Sequence, residues 1–202
     1  MIRATRTVRG LSLLFLALGL VAFGYAGYVA IDASRRQSLA RERLAHAPPA
    51  VAAVPPLVEG DPIGELRVDR LGLSTVVVQG ESASSLRGAA GHLADTPLPG
   101  DPGNVVLAGH RDTVFRPLQG VRLGDILVLS TPHGVFRYQV ESTVVVRPTD
   151  LHVLAASSSR TLTLITCFPF SYIGAAPNRF VIRARDISAT ARVKAPDAKP
   201  GF

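Results

Sequence analysis

Between Ile63 and Ile187 the chain is broken into short runs of strand-forming residues by glycine, proline and aspartate, and this punctuation constrains its fold more than any other feature. Seven strands are expected: Gly64 to Val68, Ser74 to Val78, Asn104 to Ala108, Ile126 to Ser130, Val135 to Val146, Arg160 to Thr166 and Arg179 to Arg185. Brief helical patches are expected at Ser82 to Leu86, Val114 to Leu118 and Asp150 to Ala155. Several strands with so little helix indicate an all-β fold that closes, or nearly closes, into a barrel. A segment of about 125 residues buries roughly two thirds of its surface, enough for one core. No internal repeat is visible.

The flanks differ in character. Leu11 to Ile31 is a run of 21 residues without a charge. At about 1.5 Å per residue, such a helix spans the roughly 30 Å hydrocarbon core of a bilayer. The run exceeds the apolar part of a cleaved signal peptide, and no small-x-small cleavage site follows it. The expected organisation is an N-terminal segment over 1–10, a transmembrane helix over 11–31, a charged stalk and proline-rich linker over 32–62, a folded domain over 63–187 and a disordered tail over 188–202. Within the linker, Pro48, Pro49, Pro55, Pro56 and Pro62 favour an extended, stiff spacer that holds the domain away from the bilayer. Arg3, Arg6 and Arg9 on one side of the apolar run are matched by Arg35, Arg36, Arg41 and Arg43 on the other. Positive charge therefore does not decide the orientation.

The formal net charge of +7 invites a nucleic-acid reading. Between Ile63 and Ile187, however, twelve arginines face ten acidic residues with no lysine, leaving only +2 on the folded part. A basic groove is not indicated, and attraction of the flanks to anionic lipid explains the excess. The acidic residues are scattered rather than grouped at cation-ligand spacing, so neither a metal nor a cofactor is expected.

Three polar residues stand at ends of the expected strands. Alternation places Val106, Ala108 and His110 on one face, Thr161, Thr163, Ile165 and Cys167 on another, and Arg179 with Val181, Arg183 and Arg185 on a third. Neighbouring strands would bring thiol, imidazole and guanidinium to one rim. A lone cysteine is commonly buried as a small apolar residue. Beside a proton carrier and a permanent cation, it suits nucleophilic acyl transfer instead. His92 is the rival histidine, but its surroundings rich in glycine, proline and aspartate read as a surface turn. Asp112 is either an orienting partner of His110 or a solvated partner of Arg111. The connection from Val146 to Ser159 carries Leu151, Val153 and Leu154, which can floor a peptide groove or pack a short helix on the barrel. Thr166 and Ala108 are further candidates for contact with substrate. Phe168 to Pro177 forms the loop between Cys167 and Arg179, with Gly174 as a point of movement.

In this order, the chain resembles the sortases, membrane-anchored cysteine transpeptidases, and class D most of all. The matching residues are Ile63-Gly64-Glu65-Leu66, Leu86 through Gly91-His92, Leu98-Pro99-Gly100 with Gly103-Asn104, Leu107 through Thr113, Thr161 through Cys167, and Asn178-Arg179-Phe180. The resemblance implies a closed β-barrel of about eight strands, with Cys167 as nucleophile, His110 as general acid and base, and Arg179 as stabiliser of the oxyanion. It implies protein substrates bearing a Leu-Pro-x-Thr-Gly-like sorting signal, cleaved after threonine and joined to an amine of the cell envelope or of another protein. It also implies a domain on the extracytoplasmic side of the cell membrane. Val68-Asp69 departs from the Ile-Pro pair common in the family's first strand. The competing readings are a thiol peptidase that releases peptide to water and a non-catalytic, membrane-tethered peptide-binding barrel.

Overall fold

A computed structural model describes residues 2–45, 57–172 and 174–188. One long helix, α1 (Ile2–Ala45), precedes eight strands: β1 (Pro62–Val68), β2 (Leu73–Gln79), β3 (Ala90–His92), β4 (Asn104–Ala108), β5 (Ile126–Thr131), β6 (Gly134–Val146), β7 (Thr161–Phe168) and β8 (Asn178–Asp186). The strands close into a barrel in the order β1-β2-β3-β4-β7-β8-β6-β5, with β5 returning to pair with β1. Only β2 with β3 and β4 with β7 run parallel.

All seven expected strands form, with ends moved by one or two residues. The eighth, β3, is three residues long and contains Ala90, Gly91 and His92, a composition with no strand signal. Tertiary pairing makes it a strand: it bridges β2 and β4. Two of the expected helical patches appear as 3-10 helices, Arg116–Gly120 and Leu151–Leu154. The third, at Ser82 to Leu86, is a hydrogen-bonded turn. Its Leu86 amide donates to the Ser82 carbonyl, and Glu59 accepts from the Ser82 amide and the Ser85 hydroxyl.

Alternation along the strands separates two faces. Val105, Leu107, Leu162, Leu164, Ile182 and Ala184 point into the barrel, where they pack with Leu66, Leu127, Leu129, Tyr138 and Phe115. Full burial of each such leucine contributes about 1.5–3 kcal/mol, the dominant favourable term for this core. The intervening residues of β4, β7 and β8 point outward and carry the site.

His92 departs most from expectation, being 1% exposed rather than at a surface turn. Its Nδ1 lies 2.9 Å from Gln79 Oε1, and its Nε2 lies 2.9 Å from the Pro97 carbonyl and 3.1 Å from Thr96 Oγ1. A carbonyl only accepts, so Nε2 carries the hydrogen, and the Nδ1 of the neutral ring is then an acceptor that takes its hydrogen bond from the Gln79 side-chain amide turned to present its NH2. Burial pushes the imidazole below its ordinary value, against a smaller opposing effect of the Pro97 carbonyl. The unfolded chain, with a value near 6.5, therefore takes up the proton first. Stability is fully present above about pH 6.5 and falls as the pH drops from there towards the folded-state value. The urea midpoint of the wild type is expected to fall with this profile between about pH 7 and 5, and His92→Gln to flatten it; an unchanged slope in the variant would locate the dependence elsewhere.

The expected transmembrane helix lies within α1. From Leu16 to Tyr28 the described side chains, including Leu18, Leu20, Val21, Phe23 and Tyr25, are exposed. Among the described residues no helix is long and apolar enough to cross a membrane. The side chains of 11–15, 29 and 30, which belong to the expected span, lie outside the described residues, as do 46–56 of the linker and 189–202 of the tail. Towards its end α1 lies against the barrel. Gln37 donates to Thr75 Oγ1 and the Gly88 carbonyl, Arg41 donates to Glu65 and Ser74, and Ala40 packs on Val76, Val78 and Ala89.

Candidate active site

Cys167 and Arg179 are direct cross-strand partners on antiparallel β7 and β8. Such partners project to the same face with Cβ atoms about 4.5–5.5 Å apart. On the other side of β7, parallel β4 pairs Ala108 with Ile165, and the chain stays beside β7 for one more residue. There the Gly109 amide donates to the Ile165 carbonyl and Thr166 Oγ1 donates to the Gly109 carbonyl at 2.7 Å. His110 follows at once, two residues beyond Ala108 as Cys167 is two beyond Ile165. Thiol and guanidinium therefore come from adjacent strands and the imidazole from the segment that leaves β4, with the cysteine strand central. Strand β7 runs to Phe168, so Cys167 lies inside the strand rather than at its end.

The local sequence makes this approach possible. A Cβ on Gly109 would lie 2.6 Å from the ring of Phe115, which is fully buried under the strand end. Only glycine lets that ring support the turn leading out of His110, whose carbonyl accepts from the Phe115 amide. His110 is exposed, whereas Cys167 and Arg179 are half-buried. One Arg179 nitrogen, Nη1, donates to the carbonyls of Asn178 and Ala176 at 3.0 and 3.3 Å. Its remaining donors leave capacity to hold a carbonyl or an oxyanion.

A groove of about 260 Å³ runs from this face. Ala108, Leu151, Val153, Leu154 and Arg179 all line it, together with Ile165, Val181 and Leu93. Thr166 does not line it. Its position in the alternation turns it to the opposite face from Ile165 and Cys167, where it is buried and bonded to Gly109. Asp112 is exposed, and Arg111 donates to carbonyls of Tyr172 and Gly174.

Residue-level reading of the sequence assigned no role to Asn104, although this residue holds the groove floor. Its Oδ1 accepts from Thr161 and Thr163 hydroxyls at 3.2 and 2.7 Å, and its Nδ2 donates to the Val153 and Ala155 carbonyls, both at 3.3 Å. The available signal was an amide that shares a face with Val106, Ala108 and His110 in an otherwise apolar run. Glu81 and Arg147 also line the groove and were not anticipated. Both stand in turn-like sequence, where nothing distinguishes them from solvated charges.

Residues 66–187 match the sequence profile of the sortase domain. The chain belongs to the sortase family. It is 32% identical over 192 residues to sortase D of Bacillus subtilis (strain 168), an alignment covering 87% of this chain and 97% of that sortase. Among solved structures, it resembles a Clostridium perfringens sortase D5 transpeptidase with a TM-score of 0.59 and 29% identity, covering 65% of this chain and 82% of the other. It also resembles sortase A of Listeria monocytogenes with a TM-score of 0.55 and 25% identity, covering 62% and 86%. The expected likeness to class D sortases and the eight-stranded closed barrel are thus both found.

Proposed function

We propose that this sortase is a membrane-anchored cysteine transpeptidase that cleaves a Leu-Pro-x-Thr-Gly-like signal after threonine and transfers the acyl group to an amine. The observation that carries the reading is the register of Cys167 opposite Arg179, with His110 two residues beyond the end of β4 on the other side of β7. The Cys167 sulfur, its proton passed to His110, attacks the threonine carbonyl carbon, and the carbonyl oxygen becomes an oxyanion that the Arg179 guanidinium stabilises. Collapse breaks the carbon–nitrogen bond, the departing amine takes a proton from His110, and a thioester remains. An incoming amine then attacks the thioester and gives a proton to His110, the carbon–sulfur bond breaks, and the departing sulfur takes that proton from His110 to restore the thiol. Leu151, Val153, Leu154 and Ala108 receive the leucine and proline of the signal, whose apolar side chains suit this groove.

The uncharged run over 11–31 serves as the anchor, with residues 1–10 cytoplasmic and the catalytic domain over 63–187 on the extracytoplasmic side. The partners on this reading are proteins bearing the signal and an amine acceptor of the envelope or of a surface protein, and nucleic acid is not among them. Full-length protein incubated with a labelled Leu-Pro-Ala-Thr-Gly peptide and excess triglycine is expected to yield the ligated product. Hydrolysed peptide as the sole product at millimolar triglycine would make the protein a thiol peptidase. Peptide binding without turnover would make it a non-catalytic barrel.

A further inference from the structure

The loop joining β7 to β8 is held from two sides by arginines. Arg111 Nη2 donates to the Tyr172 carbonyl at 2.6 Å and the Gly174 carbonyl at 2.9 Å, and the guanidinium lies 5.8 Å from the centre of the Tyr172 ring. Arg179 Nη1 donates to the Ala176 carbonyl, two residues after Gly174. Tyr172 and Gly174 are exposed, yet the arginine that grips them is only 9% exposed. Its Nη1 is buried without a hydrogen-bond partner.

Burying a guanidinium against two carbonyls and leaving one nitrogen unpaired is unfavourable for stability. A neutral donor would anchor a loop at lower cost, so stability alone does not account for an arginine here. Its place in the chain gives another reason. Arg111 immediately follows His110, and the loop it grips connects Cys167 to Arg179.

We propose that Arg111 is a positioning residue for acyl transfer: by holding the Tyr172 and Gly174 carbonyls, it sets the Ala176 carbonyl and thereby the Arg179 guanidinium opposite Cys167. The inference rests on the function proposed above and adds a residue outside the reacting trio. Arg111 touches no reacting atom, and its effect passes through the loop backbone to Arg179. A displacement of about 1 Å in a group that orients substrate changes a rate by about a hundredfold.

The test is a double-mutant cycle in the full-length chain, reading ligation of the Leu-Pro-Ala-Thr-Gly peptide to triglycine. Arg111→Met is expected to lower kcat about tenfold or more with KM changed less than about threefold, and Arg111→Lys to restore part of the loss. In an Arg179→Lys background, Arg111→Met is expected to lower kcat by less than a further factor of about three, because the residue it acts through is already altered. A merely structural loss lowers kcat equally in both backgrounds, and that result overturns the inference, as does wild-type kcat in Arg111→Met. If Arg111→Met fails to fold, Arg111→Lys carries the same cycle with a smaller expected loss, and an equal loss in both backgrounds or wild-type kcat again overturns the inference. A wild type that forms no ligated product overturns the parent function and this inference with it; a wild type that ligates confines any failure to Arg111.

Discussion

Replacing Cys167 with alanine is expected to lower both cleavage and ligation of a Leu-Pro-x-Thr-Gly peptide by at least about 10³, because residues acting as one catalytic unit lose nearly everything with the nucleophile. Without the sulfur no thioester forms, and water or amine must attack the threonine carbonyl directly while Arg179 and His110 remain in place. The loss belongs to chemistry rather than folding. Cys167 is half-buried on the outward face of β7, whereas the barrel interior beside it is filled by Leu162 and Leu164. Truncating the cysteine therefore leaves the core intact, and stability is expected to change by no more than about 1 kcal/mol. Product chromatography together with a urea titration of the same variant checks both halves. Residual activity within about tenfold of wild type would remove Cys167 from the mechanism.

Asn104→Ala is expected to have the largest effect on folding of any single polar substitution near the site. The side chain is 1% exposed, and its two polar atoms make four hydrogen bonds, to Thr161, Thr163, Val153 and Ala155. Its removal strands the hydroxyls of buried Thr161 and Thr163 and frees the carbonyls of half-buried Val153 and exposed Ala155, which water can reach. Each buried group left unpaired costs about 1–3 kcal/mol, and partial rearrangement brings the expected total to about 2–4 kcal/mol. The urea midpoint should fall with an unchanged denaturant slope. The KM for peptide should rise as well, because the carbonyls released belong to the segment bearing Val153 and Leu154. A loss below about 0.5 kcal/mol would mean that the connection is held by other contacts.

Legibility of the sequence followed the physics of each element. Strands such as β4 and β7 announce themselves by alternation, because one face fills a barrel and the other meets a groove. The same alternation gave the face of its own strand that each of Cys167, His110 and Arg179 occupies, while their meeting at one rim depended on which strands are neighbours. Strand β3 could not be read this way, since Ala90, Gly91 and His92 gain strand geometry only from flanking β2 and β4. His92 misled for a related reason. Its neighbours have turn chemistry, yet Gln79, Thr96 and Pro97 converge on its ring from segments apart in sequence. Thr166 was displaced by the period of two: a strand continuing to Phe168 turns residue 166 away from the outward face that residues 165 and 167 share. Asn104 and Arg111 stayed silent because their partners are mostly backbone carbonyls, which carry no sequence identity.

The central claim is that Cys167 forms an acyl-enzyme with the threonine of the signal. Intact-mass analysis of full-length protein quenched in acid after mixing with a Leu-Pro-Ala-Thr-Gly peptide, followed by peptide mapping, tests it most directly. The expected result is a mass increase equal to the peptide up to threonine, mapped to Cys167, released by hydroxylamine and depleted by added triglycine. An adduct on another residue, or ligated product accumulating with no adduct at any time down to milliseconds and persisting in Cys167→Ala, would contradict the account.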